Sequence, residues 1–239
     1  MGLLGSVKLP PLLPALLLRR DNRFRATVRL AGEELAAHVP NPGRLGELLV
    51  PERRVWVAPR DGAHRRTPCD LVLVEHDGVR VSVDSRLPNG LLAEALHAGH
   101  INLGAYDEIA AEVALGASRI DFRLTGPGGA CWVECKSVTL VIDGVARFPD
   151  APTTRGRRHA EELVAAVAAG DAAAIVFVVQ RPDATAFAPY PEADPAFAVA
   201  LREAAQRGVA VRAFTCDVNL ETIAIAREIP VDLAPSALH

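Results

Sequence analysis

Lysine is nearly absent from this 239-residue chain: Lys8 and Lys136 are the two lysines among 26 basic Lys and Arg residues. Methionine occurs once, and Phe, Trp and Tyr together make up 5% of the sequence. Scarce lysine beside abundant alanine and arginine reflects a codon-biased genome more than a function. The four cysteines, Cys69, Cys131, Cys135 and Cys216, show neither CxxC nor Cys/His ligand spacing. That excludes the common zinc and dithiol motifs and predicts buried free thiols in a reducing cytoplasm. No apolar run is long enough to span a bilayer. The stretch from Leu3 to Leu18 is broken by Pro10, Pro11 and Pro14 and lacks the basic start of a signal peptide. Met1-Gly2 with Ser6 matches a myristoylation pattern, which carries little weight beside a bacterial-looking composition. There are no internal repeats, low-complexity linkers or Gly-rich nucleotide-binding loop.

What is present begins with charge. The formal net charge is −3, but residues 1–86 hold 14 Lys and Arg against 10 Asp and Glu, and residues 87–239 hold 12 against 19. A mildly basic first half joined to an acidic second half suits contact with a nucleic-acid backbone plus a cation-holding site.

The central stretch is Ser118–Leu124, a Gly- and Pro-containing loop, then Cys131–Lys136. Alternation on both sides of the loop predicts a β-hairpin. Arg119, Asp121 and Arg123 share one face of the first strand, and Trp132, Glu134 and Lys136 share one face of the second. A turn centred between Pro127 and Gly128 sets Asp121 opposite Glu134, with Cβ atoms about 5 Å apart. Two carboxylates that close repel unless a proton or cation lies between them. An Asp followed one strand later by Glu-x-Lys resembles the site of PD-(D/E)xK nucleases. Such a pair suits Mg²⁺ or Mn²⁺, which take few carboxylates and leave room for water and phosphate oxygens. Lys136 would orient the attacking water or hold transition-state charge, a task for a compact ammonium that Arg does not imitate. A surface hairpin with a cross-strand ion pair is the competing interpretation.

Along the chain, Phe24–Leu30, Glu33–Val39, Arg54–Ala58, Cys69–Glu75 and Val79–Val83 read as five strands of a small barrel, with the OB-fold leading. Arg23 beside Phe24 opens it, and the rigid loop His38–Arg44 presents Asn41 and Arg44 to a phosphate or base. Leu87–Leu96 reads as a helix ended by Gly99, and Asp107–Leu115 as a second helix. That second helix would carry Glu112 towards Asp121 as an additional carboxylate. Arg155, Arg157, Arg158 and His159 precede a helix over Ala160–Ala169, where phosphate binding is favoured. Ala173–Val179 reads as a buried strand that leaves Gln180 at its end. Asp194 caps a helix over Pro195–Arg207, Val209–Thr215 is a final strand, and the tail from Pro230 is peripheral.

HVPNPGRL (38–45), LPNGLLAEAL (87–96), GASRIDFRL (116–124), CWVECKSVTLV (131–141), RFPDAPTTRGRRH (147–159) and FVVQR (177–181) together resemble the sugar fermentation stimulation protein A family. The resemblance implies an α/β (α+β overall) chain with two domains. Residues 1–86 would form an OB-fold-like nucleic-acid-binding domain, and residues 87–239 a PD-(D/E)xK nuclease-like domain with a central mixed sheet. It places Asp121, Glu134 and Lys136 on the nuclease-like motif, with Glu112 and Gln180 as neighbours. Asp121, Glu134 and Glu112 are the expected metal ligands. Arg23, Asn41, Arg44, Arg155, Arg157, Arg158 and His159 are the expected nucleic-acid contacts. Ile120 stands where the motif has Pro, a position that supplies no ligand. The implied activity is a cytoplasmic, Mg²⁺- or Mn²⁺-dependent DNA phosphodiesterase, as a monomer or homodimer and without a membrane. The alternative is a non-catalytic DNA-binding regulator of sugar metabolism genes with a vestigial or metal-binding-only site.

Overall fold

The computed structural model describes residues 5–62 and 65–234. The Met1-Gly2 pattern, the first residues of the apolar N-terminal run and the end of the tail lie outside the described residues. After β1 (Gly5–Lys8), the chain winds through β2 (Leu13–Asn22), β3 (Arg25–Leu30), β4 (Glu33–His38), β5 (Arg54–Pro59) and β6 (Cys69–His76). These five strands close into a barrel, because Ala37 and His38 of β4 pair in parallel with Cys69 and Asp70 of β6. Its inward residues, among them Leu17, Val28, Leu48, Val57 and Leu71, form one buried cluster. This is an OB-type barrel. β7 (Val79–Ser82) pairs with β6 and extends the sheet beyond the closure.

The barrel corrects one expectation. Its first strand is β2, which the sequence hides behind Pro10, Pro11 and Pro14, whereas Val79–Ser82 is an appendage. Pro14 is tolerated near the beginning of the strand, opposite Trp56.

The remaining elements are α1 (Leu87–His97), β8 (Glu108–Leu115), β9 (Ser118–Gly126), β10 (Gly129–Val138), β11 (Val141–Ile142), β12 (Val145–Phe148), α2 (Thr154–Ala168), β13 (Ala172–Val179), β14 (Ala186–Pro189), α3 (Pro195–Gln206), β15 (Ala210–Val218) and β16 (Thr222–Ile229). A seven-stranded mixed sheet runs β1-β16-β15-β13-β10-β9-β8, with β10, β13 and β15 mutually parallel. β13 is apolar throughout because helices cover both faces. On one face, Leu91, Leu92, Ala95 and Leu96 of α1 pack with Phe122, Val133, Val176 and Phe214, joined by Trp56 and Leu73 from the barrel. On the other, α2 and α3 bring Leu163, Phe197 and Leu201 against Trp132, Ile175 and Phe177. Asp194 caps α3 by accepting from Phe197 N at 2.9 Å, as the sequence predicts.

β1 crosses the boundary drawn at residue 86. It pairs with β16 in the second unit's sheet and lies against α1. Only glycine fits at its first residue, where a Cβ would come within 2.6 Å of Leu91 O and 2.8 Å of Ala95 N.

Two helix expectations change. Residues 108–115 form a strand, not a helix. Ile109 and Val113 lie four apart, a spacing that satisfies both the 3.6 and the 2.0 period, and antiparallel pairing with β9 decides between them. α2 starts at Thr154, six residues before Ala160. Thr153 is the cap, its hydroxyl accepting from Gly156 N at 3.0 Å. All four cysteines are free and buried, and burial pushes their thiol pKa values upward. Among the described residues, no helix is long and apolar enough to cross a membrane.

Candidate functional site

The β9–β10 hairpin has the expected register. Gly126 pairs with Gly129 and Phe122 with Val133, which continues to Asp121 opposite Glu134. The ladder stops there because the Asp121 side chain replaces a backbone acceptor, its Oδ2 accepting from Cys135 N at 2.8 Å. Oδ1 accepts from Asn89 Nδ2 at 2.8 Å, delivered by the first turn of α1. Each oxygen of Asp121 keeps a second acceptor direction. Burial, and then the Glu134 charge, push its carboxyl above the ordinary value.

Glu134 is buried, with 3% exposure, which rules out a surface ion pair. Its Oε1 accepts from both Lys136 Nζ and His159 Nδ1. Burial opposes ionisation, but the His159 hydrogen bond and the Lys136 charge outweigh it, and the carboxyl titrates below its usual value. Arg155 Nε donates to His159 Nε2 at 3.2 Å. A guanidinium has no lone pair to offer, so Nε2 is the acceptor and the imidazole proton sits on Nδ1, facing Glu134. Glu134 Oε2 is buried and has no partner among the described residues.

Glu112 stands opposite Asp121 across β8 and β9, between the pairs Ala111–Phe122 and Val113–Ile120, and the ladder skips it. Its φ of +55° is the left-handed region, unusual for a non-glycine residue in mid-strand. Its side chain is exposed. Among the described residues, no three His, Cys, Asp or Glu side chains converge as a ready metal cage. Asp121 and Glu134 come together, with Glu112 one strand away.

Gln180 is buried with both ends engaged. Its Oε1 accepts from Ser82 Oγ and its Nε2 donates to Ser137 Oγ, each at 3.0 Å. It therefore ties β7 to the end of β10 rather than facing the carboxylates. Asn41 is also buried. Its amide holds Val83 O at 3.1 Å and accepts from Gly43 N at 2.8 Å, so it builds the loop rather than presenting itself to a ligand. His159, with 1% exposure, belongs to the carboxylate network and cannot reach a phosphate at the surface.

Arg23, Arg44, Arg155 and Arg158 are exposed and Arg157 half-buried. Arg158 Nε donates to Ser118 Oγ at 2.9 Å, and Arg157 Nε has no partner among the described residues. Arg20, which the sequence did not single out, spends its guanidinium on the carbonyls of Asn22, Arg23, Gly43 and Arg44. It pins the Asn41–Arg44 loop to the β2–β3 turn. Asp150 holds that loop from the other unit by accepting from Leu45 N at 3.1 Å. Gly43 leaves room for it, since a Cβ there would meet Asp150 Oδ2 at 2.6 Å. Asn89 carries no local signal, because its partner lies 32 residues away, and the contacts of Arg20 with Gly43 and Arg44 span 23–24 residues, beyond any local pattern.

Comparison with known proteins agrees with this layout. Residues 86–222 match the family profile described as the sugar fermentation stimulation protein RE domain, and residues 18–83 match the SfsA N-terminal OB domain. The chain belongs to the sugar fermentation stimulation protein A family. The SfsA homologue of Desulforamulus reducens is 43% identical over 95% of each chain. That of Moorella thermoacetica is 46% identical over 95% of this chain and 100% of its own. The solved structure of Pyrococcus furiosus SfsA in complex with Ca²⁺ is 33% identical, with a TM-score of 0.86, covering 97% of this chain and 100% of that one. Both SfsA domains are thus present here, in the same order.

Proposed function

We propose that this SfsA chain is a cytoplasmic DNA-binding protein whose second unit is a PD-(D/E)xK-type phosphodiesterase dependent on Mg²⁺ or Mn²⁺. The observation that carries the reading is Glu134 Oε2, a buried carboxylate oxygen without a donor. It belongs to a residue set opposite Asp121, whose own oxygens each keep a free acceptor direction. A buried unpaired oxygen costs about 1–3 kcal/mol or more when charged, and a hard cation shared with Asp121 removes that cost. Two carboxylates fit Mg²⁺ or Mn²⁺, which retain waters and take phosphate oxygens. The Ca²⁺ complex of the Pyrococcus furiosus relative supports a divalent ion in this family. When bound, the ion would supply positive charge to the phosphoryl oxygens and acidify a water.

The chain's own residues do the rest. Asn89 and Cys135 N hold the Asp121 carboxylate in one orientation. His159, oriented by Arg155, holds Glu134. The Lys136 ammonium places a donor beside the carboxylates, where negative charge develops on a phosphate under attack. Arg155, Arg157 and Arg158 on the first turns of α2, with Arg23 and Arg44 on the barrel, provide positive charge for the DNA backbone. Glu112 stands ready as an outer carboxylate.

A second reading has its own support. Lys136 and His159 already satisfy Glu134 Oε1, so the site can rest as a closed ion pair in a non-catalytic DNA-binding regulator. Incubation with labelled single- and double-stranded DNA in Mg²⁺, Mn²⁺ or EDTA separates the two. Metal-dependent cleavage that Lys136→Ala abolishes is the expected result. Binding without cleavage on every substrate would leave the regulator.

A further inference from the structure

Phe24 is the one aromatic side chain among the large hydrophobic residues left exposed in the described structure, at 47%. It is not a frayed loop residue. Its N–H donates to Asn22 Oδ1 at 2.9 Å, and its carbonyl accepts from Val39 N at 2.9 Å and from His38 Nδ1 at 3.1 Å. Three hydrogen bonds thus fix the backbone that carries an apolar ring into water, an arrangement that core packing does not explain. The His38 ring stacks beside it, with centroids 6.5 Å apart and planes 29° from parallel. The two rings line a shallow groove with Asn22, Arg25, Arg65, Arg66 and Thr67. Arg65 is committed to the buried Asp70, and Arg25 lies 3.5 Å from Asp21. Arg66 is exposed and has no partner among the described residues.

His38 ends β4; the other residues come from the turn joining the first two barrel strands, β2 and β3, and from the connection between the last two, β5 and β6. In OB barrels those two loops frame the face that takes oligonucleotides or oligosaccharides. An aromatic platform bordered by arginines matches a chain of stacked bases on a phosphate backbone. A duplex keeps its base faces stacked on one another, so only a single strand can use such a platform. Arg23, the residue before Phe24, lines the cleft between the two units with Gly43, Ser137 and Asp150. A strand seated on Phe24 is therefore led by the neighbouring residue into the cleft between the two units.

We propose that the Phe24–His38 surface, with Arg25 and Arg66, is a base-stacking site for single-stranded nucleic acid. The inference rests on the reading of the chain as a nucleic-acid binder and specifies which form it grips, and where.

Fluorescence anisotropy in EDTA tests it without any cleavage, using labelled oligo(dT), oligo(U), an abasic strand of equal length and a duplex. Phe24→Ala should weaken oligo(dT) or oligo(U) binding by about 5- to 150-fold, while abasic and duplex affinities stay put. Phe24→Trp should restore binding, whereas Phe24→Leu, apolar but without a π face, should not. Whether oligo(dT) or oligo(U) shows the larger loss assigns the strand to DNA or RNA. Equal oligo(dT) and oligo(U) affinities in Phe24→Ala and wild type, or equal losses on the abasic strand, would overturn the proposal. So would dimerisation that Phe24→Ala abolishes while oligonucleotide binding persists, which would give the surface to a second copy of the chain. If wild type bound none of the four probes, the DNA-binding reading would fail as well. That result is distinct from failure of the stacking site alone.

Discussion

Removing the His159 imidazole should uncouple the second carboxylate from the helix that orients it. His159→Ala deletes one of the two donors on Glu134 Oε1 and the acceptor used by Arg155. A hydrogen bond to a charged group contributes about 1.5–3 kcal/mol, and the emptied space on the buried face of α2 adds to the loss. We therefore expect a deficit of about 2–4 kcal/mol in unfolding free energy. The pH dependence has a definite sign. Glu134 titrates below its ordinary value in the fold, so its contribution is in place at neutral pH and is lost as pH falls through the folded value. The His159→Ala deficit should be full at pH 7 and shrink below about pH 4, leaving only the packing part. Loss of a residue that orients a ligand typically weakens metal affinity about 10–100-fold. His159→Asn places an amide N–H near the Nδ1 position and offers Arg155 nothing, so it should recover part of the Mn²⁺ affinity lost in the alanine variant. Denaturant titrations across pH, with calorimetric Mn²⁺ binding, measure all of this. Wild-type Mn²⁺ affinity in His159→Ala, or a deficit that does not depend on pH, would refute the role given to His159.

Asp121→Asn should stabilise the metal-free protein at pH 7 by about 1 kcal/mol, raising Tm by about 2–4 °C. The cause is removal of a buried charge beside Glu134 whose carboxyl is held above its normal value; an unchanged or lower Tm would contradict it. Gly5→Ala should cost about 1–3 kcal/mol by driving β1 off α1, and hydrogen exchange should show β1 and the edge of β16 opening together. Arg44→Ala and the Arg157/Arg158 double alanine variant should each lower the slope of log affinity against log salt. The drop should be about 0.9 per lost contact on duplex DNA, and unchanged slopes would remove these residues from the interface.

The parts legible in the sequence were those set by local pattern. Alternation and a turn centred between Pro127 and Gly128 set the hairpin register, and with it Asp121 opposite Glu134. The OB barrel was legible as a class, but β2 was not, because prolines that usually break strands sit at its start. β8 has the pattern of a helix as much as of a strand because its apolar spacing fits two periods, and pairing with β9 resolves them. The sequence pattern leaves His159 just before α2, whereas a helix beginning at Thr154 puts Gly156, His159, Ala160 and Leu163 on one buried face. The Thr153 cap was the available signal. The sequence offers Asn41 as a loop residue facing a ligand and Gln180 as the end of a buried strand, but their partners at Val83, Ser82 and Ser137 are tertiary contacts that no local pattern encodes. The orphaned Oε2 of Glu134 is likewise a property of packing.

Calorimetric unfolding of wild type and Glu134→Gln at increasing Mn²⁺, with Lys136→Ala alongside, tests the shared cation most directly. Wild type should gain about 2.7 kcal/mol at a hundredfold excess of ion over its dissociation constant, or about 5–11 °C in Tm. Glu134→Gln should gain nothing, and Lys136→Ala should keep most of the gain. A flat wild-type curve, or an equal gain in Glu134→Gln, would show that Asp121 and Glu134 do not hold the ion together.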